Sequence, residues 1–149
     1  MTLSLRSLSA AFAALLLLAG VLLDASASAS ELVVIVSSRS AAPMLRSDQV
    51  AAIFLGQSAQ LPDGAVIAAI DQPVGSNTRD EFYERVASKS PALLKAYWSK
   101  LLFTGRGQPP REVAGNAAVK KLVADTPGLI GYIERSALDA SVRPVLVLR

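Results

Sequence analysis

The chain has no cysteine and no histidine. Without cysteine there is no disulfide framework, no thiol nucleophile and no zinc–thiolate site, so stability must come from an apolar core. Without histidine there is no Ser-His-Asp triad and no imidazole metal site, and the commonest general base is missing. Aromatic residues make up only 5% of the chain, and charged residues 18%. The net charge of +3 is mild, and the basic residues are scattered without a run. That excludes a nucleic-acid footprint and suits small anions or weakly acidic surfaces. No paired carboxylates stand out for acid–base work or for metal, so no cofactor is implied and the chain is read as a non-enzyme.

What is present is apolar: 52% of 149 residues, enough to bury one domain core. Part of it lies at the start. Arg6 precedes an uncharged apolar run over residues 8–23, and Ala25-Ser26-Ala27 and Ala27-Ser28-Ala29 offer small-x-small cleavage patterns. The expectation is a cleaved secretory signal over residues 1–29. Residues 30–149 would then form a single domain in the bacterial periplasm, with no stable membrane insertion after cleavage.

Beyond residue 30, strands and helices alternate. Residues 32–36 (LVVIV) read as a strand buried on both faces of a parallel sheet. Ser47 reads as the cap of a helix carrying Val50, Ile53 and Phe54, stopped by Gly56. Residues 65–70 (AVIAAI) read as a second strand, 129–133 (LIGYI) as a third and the C-terminal VRPVLVLR as a fourth. Pro144 belongs at a strand start or an edge. Between these strands, Ser90-Pro91 opens a helix bearing Leu94, Tyr97, Trp98, Leu101 and Leu102, where the aromatic pair reads as core packing. Asn116 reads as the cap of a shorter helix. The predicted class is α/β, with a mostly parallel sheet of about four strands covered by helices.

The candidate site is DQPVGSNTRDEF, residues 71–82. Ligands of α/β folds sit where strands lead into helices, and a helix start leaves free N–H groups and partial positive charge. Gly75 lets a backbone approach closely, Ser76, Asn77 and Thr78 add side-chain donors, and Arg79 adds a fork for two oxygens. The competing reading is a capping box, with Thr78 as cap and Glu81 reaching back. Parallel neighbouring strands would bring Ser37, Ser38 and Arg39, after the first strand, beside this loop. Arg106 and Arg111, in FTGRGQPPR, are candidates for contact with a protein partner.

Three segments in this order, IFLGQ (residues 53–57), SNTRDEF (76–82) and TPGLIGYI (126–133), resemble the periplasmic phosphate-binding proteins of bacterial phosphate ABC transporters. AYWSKLLFTGRGQPP is similar to short, substrate-binding-like members of that group. The resemblance implies one lobe of a periplasmic-binding-protein-like fold and binding of phosphate or a similar small oxyanion. It also implies an inner-membrane transporter or a sensor protein as partner. Ser76 and Thr78 match ligand positions. Asn77 stands where the family has glycine, and Asp71-Gln72-Pro73 occupy the region where it has an arginine. Family members have two lobes, and this length suffices for one. The rival expectation is a module that docks onto a sensor or transporter without a ligand.

Overall fold

The computed structural model describes residues 30–149, so the expected signal segment lies outside the described residues. The elements are β1 (Leu32–Ser37), α1 (Ser47–Phe54), β2 (Ala68–Asp71), α2 (Asn77–Ala87), α3 (Pro91–Phe103), β3 (Arg111–Glu112), α4 (Gly115–Asp125), β4 (Leu129–Glu134) and β5 (Val142–Leu148). A short 3₁₀ turn, Arg135–Ala137, links the last two strands.

Five strands form one mixed sheet in the order β3-β2-β4-β1-β5. β2 is parallel to both β3 and β4, while β1 is antiparallel to β4 and to β5. Four strands therefore point one way and β1 runs against them. This is the expected α/β class with a mostly parallel sheet. The fifth strand, the two-residue β3, is too short to carry a hydrophobic pattern.

β1 is buried along its whole length because both sheet faces are covered. Alternate side chains separate the two layers. Leu32, Val34 and Val36 join Phe54, Phe82 and Tyr132 beneath α1, α2 and α3. Val33 and Ile35 join Ile70, Val119 and Ile133 beneath α4. Phe82 stacks on Tyr132 with ring centroids 3.8 Å apart, and Phe54 meets Phe82 edge-on at 4.7 Å. Trp98 is buried in the first layer, as its spacing predicts. Pro144 lies on β5, an edge strand, opposite Ile35, where the β1–β5 register shifts and Val145 has no partner in β1. A missing N–H is tolerated there.

Several local expectations shift. Arg46, not Ser47, caps α1, and its N–H donates to Gln49 Oε1 at 2.9 Å. The second strand runs Ala68–Asp71 rather than 65–70, because Val66 pairs instead with Gln60 in an isolated bridge. Asn116 lies inside α4 and does not cap it: its Oδ1 accepts from Gln72 Nε2 at 2.9 Å and from the Glu134 N–H at 3.3 Å.

Candidate functional site

β2 ends at Asp71, and the chain turns through Pro73, Val74 and Gly75 (φ 86°) into α2. Ser76 caps this helix, its hydroxyl accepting from the Arg79 N–H at 3.3 Å. The expected Thr78–Glu81 capping box does not form. Thr78 lies two residues past the cap and donates to Glu134 Oε1 at 3.3 Å, while Glu81 pairs with Arg85 and accepts from the Ser30 hydroxyl. The N–H groups of Asn77 and Thr78 have no acceptor among the described residues, as the geometry of a helix start dictates.

Arg79 does not point at this free tip. It is 6% exposed, and its Nε donates to Asp71 Oδ2 at 3.1 Å. Asp71, 1% exposed, also accepts from the Tyr83 hydroxyl at 2.9 Å, from the Tyr132 hydroxyl and from the Gln72 N–H at 2.8 Å. Arg79 and Tyr83 stand one turn apart on α2, so both reach the end of β2, and the guanidinium carbon lies 5.1 Å from the Tyr83 ring centre. Gln72, also buried, ties the cluster to β4 by donating to the Tyr132 carbonyl at 3.1 Å. Burial alone lowers the Arg79 pKa, but the Asp71 carboxylate outweighs it and raises the net value. Burial first, then the Asp71 charge, pushes both Tyr83 and Tyr132 far above the ordinary phenol value. The phenols stay protonated and act as donors to the carboxylate.

Above this cluster opens a cleft of about 690 Å³ between the β2–α2 turn, α3 and the segment before β3. Its walls are mostly apolar, with Val74, Pro91, Trp98, Leu102, Pro109 and Pro110. Asp80, Lys95 and Glu112 supply its charges besides the Asp71–Arg79 pair. The cleft therefore carries one net negative charge when that pair is counted as neutral.

The sequence-predicted residues divide accordingly. Gly75, Ser76, Asn77, Thr78 and Arg79 stay together, though Arg79 faces inward and Ser76 is used as a cap. Ser37, Ser38 and Arg39 do not join them. β1 is antiparallel to its neighbour β4, so its C-terminus lies at the opposite end of the sheet from that of β2. There Ser37 is fully buried and donates to the Ala124 carbonyl at 3.1 Å, and Arg39 donates to the Ala124 and Asp125 carbonyls. Both side chains satisfy the free carbonyls at the end of α4. Ser38 lies exposed in the turn. Arg106 and Arg111 are exposed, on the loop after α3 and at the start of β3, and neither lines the cleft. Sequence reasoning missed Asp71 as the organising group. The signal was present in its spacing to Arg79 and Tyr83, which share a helix face.

The fold and cleft define one lobe of a periplasmic-binding-protein-like architecture. No family model matches the sequence, and no curated protein is a significant match. Solved structures are similar. A phosphate ABC transporter substrate-binding protein with bound phosphate, from Clostridium perfringens, superposes with a TM-score of 0.59 at 26% identity, over 77% of this chain and 44% of that one. An ABC-type phosphate transport receptor from Vibrio cholerae gives 0.60 at 20% identity, over 77% and 46%. PstS from Borrelia burgdorferi gives 0.55 at 17% identity, over 80% and 47%. This chain spans less than half the length of each. Among the described residues no helix is long and apolar enough to cross a membrane.

Proposed function

We propose that this chain is a non-catalytic, exported binding lobe of the phosphate-receptor type, whose cleft receives a polypeptide partner rather than a free oxyanion. The observation that carries this reading is the Asp71–Arg79 pair. The one arginine at the expected site is already neutralised by a buried carboxylate. Asp80 and Glu112 add negative charge around the cleft, and an incoming anion would meet them. The apolar walls, with Val74 and Leu102 exposed, offer area to a protein surface. Occupants consistent with this reading are a transporter, a sensor protein or a second lobe supplied by another chain, since the similar solved structures are about twice as long.

Two observations favour oxyanion binding, phosphate above all, as a second reading. The N–H groups of Asn77 and Thr78 are free, and the Clostridium perfringens protein was solved with phosphate bound. Calorimetry with phosphate and with sulfate separates the two. The docking reading expects no saturable heat from either anion. It also expects a discrete covalent adduct with another polypeptide from a photo-crosslinker placed at Val74. Saturable phosphate heat that disappears in Thr78→Pro, which removes an N–H from the helix tip, replaces docking with the oxyanion reading.

A further inference from the structure

The basic residues of this chain are unequally employed. Outside residues 86–111, every described lysine or arginine has a carboxylate or carbonyl partner, as in Arg46–Asp48, Lys120–Asp139 and Arg143 with the Ser40 and Ala42 carbonyls. Inside it, Lys89, Lys95, Lys100, Arg106 and Arg111 make no ion pair, and their side chains donate no hydrogen bond among the described residues. Of the five, among the described residues, Lys89 alone lies over an aromatic ring, that of Tyr97 at 5.3 Å. No aspartate or glutamate occurs between Glu84 and Glu112.

The same segment holds three of the six large apolar side chains that stand exposed among the described residues: Leu93 at 58%, Leu102 at 55% and Phe103 at 94%. α3 turns Leu94 and Trp98 into the core, while Ala96 and Phe103, two turns apart, are exposed on its other side. The helix is thus apolar on two sides and covered by protein on one. Asp80 and Glu112 line the cleft beside Lys95, so the surface in question is the outward flank bearing Leu93, Lys100, Phe103 and Arg106.

We propose that this outward flank of α3, with the loop that follows it, is a peripheral docking surface for an anionic lipid bilayer. The charge complementarity is direct: free cations without an intervening acid attract acidic headgroups. The arrangement distinguishes a bilayer from an acidic protein. Lysine is depleted from the cores of protein interfaces. Phe and Leu interleaved with Lys and Arg are the composition of a helix lying at a membrane surface. Long lysine stems can follow the apolar face while their ammonium groups stay at headgroup level. This inference does not depend on what occupies the cleft.

Vesicle flotation of the full chain tests it, with phosphatidylcholine alone and with phosphatidylcholine mixed with phosphatidylglycerol. The vesicles without anionic lipid report whatever the apolar first residues contribute. Phosphatidylglycerol should increase binding, and added salt should reverse the increase. Phe103→Ser, and separately Lys100→Glu with Arg106→Glu, should each reduce the anionic-lipid-dependent part about tenfold. Lys121→Glu, an exposed charge reversal on α4, should retain it. All these positions are on the surface, and unchanged thermal unfolding confirms folded variants. Equal binding to both vesicle types overturns the proposal, as does an equal loss in Lys121→Glu or full binding by the Phe103 and Lys100/Arg106 variants. Capture on immobilised polyglutamate without vesicle binding overturns it in favour of an acidic protein.

Discussion

Arg79 Nε lies 3.1 Å from Asp71 Oδ2, and both residues are almost wholly removed from solvent. A buried pair of this kind gives little net stability over an apolar replacement, but it is costly to break. Asp71→Ala strands a guanidinium in the core, and Arg79→Leu strands a carboxylate that two tyrosines and one backbone amide still contact. Each single change should cost about 3–5 kcal/mol. The double change Asp71→Ala with Arg79→Leu should cost clearly less than the sum of the two. Urea unfolding of the four proteins measures this coupling, and simple additivity would show that the pair does not organise the end of β2.

The same cluster sets an alkaline limit. Tyr83 and Tyr132 have folded pKa values raised by burial and by Asp71. In the unfolded chain they ionise near pH 10. The unfolded state thus loses protons that the folded state keeps, and stability falls as pH rises above that value. Below it their contribution is complete and independent of pH. Ultraviolet titration should show these two phenols ionising only as the near-ultraviolet circular dichroism collapses. Their ionisation in a still-folded protein would contradict the hydrogen bonds to Asp71.

Gly131 is required by packing rather than by a turn. A Cβ placed there would lie 2.7 Å from Val119 Cγ1 and 3.3 Å from both Ile70 and Val123. Val119 and Val123 belong to α4, pressed against β4 at this point. Gly131→Ala should therefore destabilise by about 1–3 kcal/mol through overpacking. Pairing it with Val119→Ala should recover part of the loss, read as a shift in the urea midpoint.

Ser76→Ala should lower stability by about 1 kcal/mol in buffers free of phosphate and sulfate, because the hydroxyl caps α2. Thr78→Val should cost less, since its hydroxyl meets only the half-buried Glu134 at 3.3 Å. A reversed order would restore Thr78 as the cap. Thermal melts of the two variants side by side decide between them.

Much of the fold was legible in local pattern. The unbroken apolar run of β1 predicts burial on both faces, and both faces are covered. The 3.6-residue spacing predicts the apolar face of α3, on which Leu94 and Trp98 are buried while Leu102 is exposed, and Pro144, expected at a strand start or an edge, lies on an edge strand. The site was legible only in part. The stretch from Gly75 to Thr78 does open a helix at a strand end. The choice of Ser76 over Thr78 as cap is made by the turn from Pro73 through Gly75, which starts the helix at Asn77. β3 left no pattern because two exposed residues cannot show an alternation.

By itself the sequence determined the alternation of strands and helices, the two-layered core and the absence of thiol and imidazole chemistry. These follow from composition and from periods of two and 3.6 residues, which are local properties. Tertiary structure alone decided the direction of β1 and the partner of Arg79. A strand's hydrophobic pattern reads the same in either direction, so only pairing with β4 and β5 sends Ser37 and Arg39 to the far end of the sheet. An arginine at the start of a helix can face solvent or core. Here the carboxylate at the end of β2 and two phenols, one of them brought from β4 across the sheet, turn it inward.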